Sequence, residues 1–166
     1  MITERQRSLL VLNGVGLLAS AIIIGWFYFI FLLEGVRLWP FIIHMAADVP
    51  GDRRAWNMAH LEAITNGTIL IAIAMAAPYI KLGRLASRLV VWGAITFGWL
   101  FTLPAAANAW FGTRGLAFDG GPFEGGLANN LIFLSGWPAF LGVHIALPLL
   151  VWGAYQHFRS TPKGEG

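Results

Sequence analysis

Cysteine is absent from this 166-residue chain. That excludes disulfides, thiolate metal centres, iron–sulfur clusters and haem attached covalently through a C-x-x-C-H motif. Charge is scarce as well. Only 11% of residues are charged, against about a quarter in an ordinary soluble domain. The phosphate loop G-x-x-x-x-G-K-[ST], the zinc-protease motif H-E-x-x-H and the nucleophile elbow G-x-S-x-G are all missing, which removes the common soluble-enzyme machineries. The glycine pairs at 120–121 and 125–126 are not followed by a helix-opening fingerprint, so they read as a flexible loop and not as a phosphate cradle. No internal repeat or low-complexity segment is evident.

What fills the chain instead is apolar. Hydrophobic residues make up 57%, with eight tryptophans and twelve phenylalanines. Several runs reach roughly 20 apolar residues, enough to cross a hydrocarbon core about 30 Å thick. The sequence predicts an all-α integral membrane protein, one four-helix transmembrane bundle using residues 1–166. Its spans lie at about 9–33, 55–80, 85–107 and 128–158. The first run is too long for a secretion signal and lacks a clean small-residue cleavage site, so it reads as a mature span. The fourth is longer than a bilayer needs, so part of it projects or tilts. Residues 35–54 form an outer loop in which Trp39, Pro40 and Phe41 suit a membrane interface. Residues 108–127 form a Gly-rich loop, and the chain ends in a polar tail.

Loop charge gives an orientation. Arg5, Arg7, Lys81, Arg84, Arg88, Arg159 and Lys163 lie at one side. The other side holds four basic residues and five acids, Glu34, Asp48, Asp52, Asp119 and Glu124. The positive-inside rule places both termini in the cytoplasm. The net charge of +3 therefore reflects cytoplasmic loops and not nucleic-acid binding.

Ionisable residues inside a span are costly in lipid, so they usually face protein or a cofactor. The stretch AWNMAHLEAITNG places His60, Glu62 and Asn66 within seven residues of span two. Glu62 and Asn66, four apart, share a helical face. His60 and Asn66 are six apart, about 600° of rotation, which leaves them roughly 120° apart at 3.6 residues per turn. His60 reads either as an interhelical hydrogen-bonding group or as an axial haem ligand, neutral imidazole being the usual one. Glu62 and Asn66 are either hydrated near the outer interface or functional, and Asn66-Gly67 is a candidate helix irregularity. Arg114 either caps its loop or pairs with a haem propionate, because guanidinium matches a carboxylate. His144 lies roughly 20 Å into span four and His60 roughly 8–10 Å into span two at 1.5 Å per residue. Two axial nitrogens must lie about 4 Å apart, so His144 reads as an interhelical hydrogen-bonding group and not as the sixth ligand. His44 and His157 fall outside the core and read as solvated.

Three stretches give the chain a likeness. They are Trp56-x-x-Ala59-His60 with Asn66-Gly67 six residues after the histidine, Arg114-Gly-Leu-x-Phe in the third loop, and the length with its four-span layout. VPGDRRAW at the end of the first loop adds to them. The chain resembles the bacterial styrene oxide isomerases. The resemblance implies haem b, non-covalent and ferric, at the subunit interfaces of a homotrimer, with His60 as the axial metal ligand and Arg114 beside the cofactor. It implies Lewis-acid opening of an aryl epoxide at the benzylic carbon, a 1,2-hydride shift (the Meinwald rearrangement) and release of an aldehyde without net redox change. Asn66 would orient the epoxide oxygen. It could do so for a neighbouring subunit's haem, since it lies on a different face from His60. The family's aspartate and tyrosine on span three align with Phe97 and Ala105, neither of which donates a side-chain hydrogen bond. Glu62 lies outside the family pattern and is placed to supply a replacement polar group.

The expectation is thus an epoxide isomerase in the bacterial inner membrane, with Asn66 and Glu62 catalytic. A small apolar epoxide would be its substrate and the lipid bilayer its surroundings. The rival readings are a non-catalytic membrane haem protein for electron transfer or gas binding, and a structural subunit without cofactor.

Overall fold

The computed structural model describes residues 1–38, 40 and 43–161, without the side chains of residues 37 and 38. The interface expectation for Trp39 and Phe41 and the last five residues of the polar tail lie outside them. Helix α1 runs Glu4–Leu33. Thr3 caps it, accepting from the Gln6 amide, while the Gln6 side chain accepts from the Thr3 amide at 2.8 Å. It ends where Glu34 turns left-handed, φ 52°. A short antiparallel hairpin follows, β1 (Gly35–Leu38) and β2 (Ile43–Ala46). Helix α2, Arg53–Ala76, is capped by Asp52, whose carboxylate accepts from the Ala55 amide at 2.9 Å. Pro78 closes it in a single 3-10 turn, Ala77–Tyr79. Helix α3 spans Arg84–Phe111 and α4 spans Leu127–Ser160.

The protein is therefore mostly helical, and four helices are long and apolar enough to cross a membrane. Helix α1 packs mainly on α2 and α3 on α4, while α2 and α3 join the two pairs. Each pair crosses at glycines. A Cβ on Gly67 would meet the Gly14 carbonyl at 2.8 Å, and one on Gly93 would meet the Gly142 carbonyl at 2.8 Å. Without hydrophobic pressure between helices in lipid, such close backbone approach is what holds them. Small residues sit inside, among them Ala59, Ala63, Ala94, Ala139 and Ala146, whereas Leu12, Ile22, Trp92 and Val151 point outward. At one end Lys81 donates to Ser160 Oγ and the Met1 amine to the Leu82 carbonyl, so the chain's start, the 81–83 turn and the end of α4 lie together.

Three expectations change here. The 35–54 segment is not all loop, since eight of its residues pair in the hairpin. Asn66-Gly67 is no irregularity. The helix runs straight through it, and Gly67 serves the α1 crossing. The Gly-rich loop is braced, and three asparagines do it. Asn108 Nδ2 donates to the Arg114 carbonyl, Asn129 bonds the Gly115 amide and the Ala117 carbonyl, and Asn130 bonds both the amide and the carboxylate of Asp119.

Candidate functional site

Helix α2 carries its polar residues to two separate places. His60 faces α1. Its Nδ1 lies 3.0 Å from the Ala21 carbonyl oxygen, and a carbonyl only accepts, so Nδ1 carries the proton. Nε2 is then the free lone pair, which is how a metal-ligating imidazole is usually oriented by its second nitrogen. Room for the ring comes from Gly25, one turn on from Ala21. A Cβ there would stand 2.9 Å from His60 Cε1. The ring is half-buried. Among the described residues no group of three His, Asp or Glu side chains is placed to hold a bare metal ion. A single imidazole with a preset tautomer would suit only a metal whose remaining ligands come from outside the chain.

Glu62 and Asn66 face α3. Asn66 is 5% exposed, and its amide nitrogen donates to Thr102 Oγ1 at 3.1 Å and, more weakly, to the Gly98 carbonyl at 3.4 Å. It therefore lies in the α2–α3 contact of its own protomer and not on a free outer face, which corrects the expectation that it looks toward a neighbour. Both helices present small residues at that level, and this draws the amide inward. One turn away, Glu62 is half-buried and lines a cavity of about 230 Å³ between α2, α3, α4 and the braced loop. The cavity's walls include Leu100, Phe101, Pro104, Ala105 and Ile132, with Asn108 and Arg114 at the loop side. Ala105 thus opens the space a larger residue would fill. Phe97 packs edge-on to Phe101, ring centres 5.3 Å apart, and does not line the cavity.

Arg114 reaches back to α2. Its Nη2 lies 2.9 Å from Asp52 Oδ2, so the braced loop is tied to the α2 N-cap. Burial works to raise the Asp52 pKa, but the Ala55 amide and the Arg114 guanidinium outweigh it and hold the carboxyl below its ordinary range. Arg114 therefore already has a carboxylate partner, with further donors left over.

The remaining histidines stand elsewhere. His144 is exposed, bonds the Phe140 carbonyl of its own helix at 2.7 Å and stacks on that ring. That corrects its expected interhelical role, and the protomer does not bring it to His60. His44 is exposed, as expected. His157 is not solvated. It is half-buried edge-on to Tyr79, with Nδ1 buried and unbonded among the described residues. Sequence reasoning missed Ala21, Gly25, Thr102, Asn108 and Asn129. The asparagines flanking the loop were a visible signal, whereas alanine and glycine beside His60 were not.

Comparison with known proteins bears on this arrangement. A curated styrene-oxide isomerase from Pseudomonas fluorescens is 27% identical over 154 residues, covering 90% of this chain and 86% of that protein. The family model described as styrene oxide isomerase matches residues 6–155, from α1 through α4, including His60, Glu62, Asn66 and Arg114. With a match of that extent, this four-helix chain belongs to the styrene oxide isomerase family.

Proposed function

We propose that the protein is a membrane haem b epoxide isomerase that converts aryl epoxides of the styrene oxide type to aldehydes. The observation that best supports this is the His60 imidazole, with Nδ1 set against the Ala21 carbonyl and Nε2 left free. His60 would hold the iron, and the donors of Arg114 not used by Asp52 would meet a propionate. When bound, ferric haem supplies a Lewis acid for the epoxide oxygen.

The chain's own residues do the rest. Leu100, Phe101, Pro104 and Ile132 keep water from the opening benzylic carbon, which water would otherwise take to the diol. A cavity of about 150 Å³ holds benzene, so the 230 Å³ here admits one aromatic ring with a short substituent. Glu62 faces that space, where a carboxylate stabilises developing positive charge while hydride moves from the neighbouring carbon. Asn66 does not line that space, and held by Thr102 and the Gly98 carbonyl it would support the α2–α3 wall one turn behind Glu62. Glu62 lies two residues from His60, about 200° around the helix, so one protomer's His60 does not serve its own cavity. A homotrimer that sets His60 of one copy against the cavity of the next would join them. The basic end formed by the chain's start, the 81–83 turn and the end of α4 would face the cytoplasm in a bacterial inner membrane.

The deciding experiment is an absorption spectrum of the detergent-purified protein, oxidised and reduced, beside His60→Ala, followed by aldehyde formation from styrene oxide. A haem band lost or shifted in the variant, together with turnover, is the expected result. A low-spin haem that cycles readily without turnover would make the protein a carrier instead. Protein that stays colourless with added haem would end the proposal.

A further inference from the structure

We propose that the groove between the start of α1 and the start of α3 is a binding site for a phosphate group, built for an anionic phospholipid.

Helix α3 opens at Arg84 after Gly83, which offers no side-chain cap. Its first intrahelical bond is Ser87 amide to Gly83 carbonyl. The amides of Arg84, Leu85 and Ala86 therefore point out of the helix end without partners among the described residues, carrying the positive end of the helix dipole. A helix end alone marks nothing, but a second observation lies beside it. Ser87 is 1% exposed, its Oγ is buried and bonds nothing among the described residues, and the residue lines the groove. A helical serine normally returns its hydroxyl to a carbonyl one turn back. A buried hydroxyl without a partner is costly, and a ligand oxygen would satisfy it.

Charge converges on the same spot. Arg84 and Arg88 from α3 and Arg5 from α1 line the groove, and among the described residues no carboxylate does. The ion pairs among the described residues are Arg7–Glu4 and Arg114–Asp52, so these three guanidinium groups have no acid partner there. Arg84, Ser87 and Arg88 share one helical face. Together the three arginines, the amides and the hydroxyl form a set of donors with no matching acceptor, which is what a phosphate monoester or diester needs.

The groove also grades in polarity. One turn past Arg88, exposed Trp92 borders it, with Leu9 and Leu82 on its floor. Basic groups giving way to tryptophan and leucine is the profile of the membrane interface. A free phosphate would use only the upper half, whereas a phospholipid uses both.

The test uses the full-length protein in nanodiscs of phosphatidylcholine with or without phosphatidylglycerol. Retained lipid is read by native mass spectrometry, and lipid-dependent stabilisation by thermal unfolding. Wild type should keep phosphatidylglycerol in preference. Arg84→Gln with Arg88→Gln should weaken that retention about 30-fold, from roughly 1 kcal/mol per arginine at the surface. Ser87→Ala should weaken it a few-fold while leaving stability in phosphatidylcholine unchanged or higher, because it removes an unbonded buried hydroxyl. Arg159→Gln, which removes one positive charge at the same end but outside the groove, should leave retention intact. Millimolar inorganic phosphate that displaces the lipid would assign the site to free phosphate, and lipid that resists it would assign the headgroup. Equal losses in the Arg159 and Arg84/Arg88 variants, or no preference for phosphatidylglycerol and no phosphate binding, would overturn the proposal.

Discussion

At the scale of single residues, His60 depends on two neighbours that carry no chemical label. Ala21 lends a carbonyl and Gly25 lends space. Gly25→Ala would place a methyl 2.9 Å from Cε1 and 3.1 Å from Nδ1, closer than van der Waals contact allows, so the ring must tilt off the Ala21 carbonyl. Retention of the proposed haem should fall about tenfold, the scale of losing a partner that orients a ligand, and the nitrogen-15 spectrum of His60 should lose its single tautomer. An unchanged spectrum and full haem content would show that Gly25 does not set the ring. Ala105 invites the opposite change. Ala105→Phe fills the cavity and should depress aldehyde formation while leaving the haem spectrum alone. His60 could be read from the sequence because histidine is out of place in an apolar run. Its partners could not, because they are fixed by the register of α1 against α2.

At the scale of elements, the Asp52–Arg114 link joins a helix cap to a loop. Asp52 has a lowered pKa, so the stability it contributes is complete above its ordinary value of 3.8 and drains away as pH falls through the lowered one. Hydrogen exchange at residues 113–119 should therefore rise on acidification below that value and stay flat between neutral pH and 5. Asp52→Ala should reproduce the loosening at neutral pH and cost α2 about 1 kcal/mol of capping. A loop indifferent to both would leave Asp52 as a helix cap alone. The four spans were legible because length and hydropathy suffice to mark them. The hairpin was not, since its strands are four residues long and lack a period. The bracing of the Gly-rich loop was half-legible. Asn108, Asn129 and Asn130 stand in the sequence, but their targets are backbone groups that only the folded chain brings near.

At the scale of the whole molecule, the packing departs from that of a soluble bundle, with many alanines beside Leu10, Leu17, Trp56 and Leu70 inside and many leucines, isoleucines and tryptophans exposed outside. Hydropathy predicts that the chain enters a bilayer, and it says nothing of which helix meets which. The pairing is set by where the glycines fall, and two glycine crossings divide the bundle into α1–α2 and α3–α4. That division bears on how the protein is made. Each half is a hairpin whose two helices can close on one another as soon as both have left the ribosome, without waiting for the other half. Residues 1–82 and 83–166, translated as separate polypeptides in one cell, should each insert and then find one another through the α2–α3 surface. Co-purification of the two fragments would show that the peptide bond at the 81–83 turn is a convenience of synthesis. Fragments that are degraded singly and together would show that assembly needs one continuous chain.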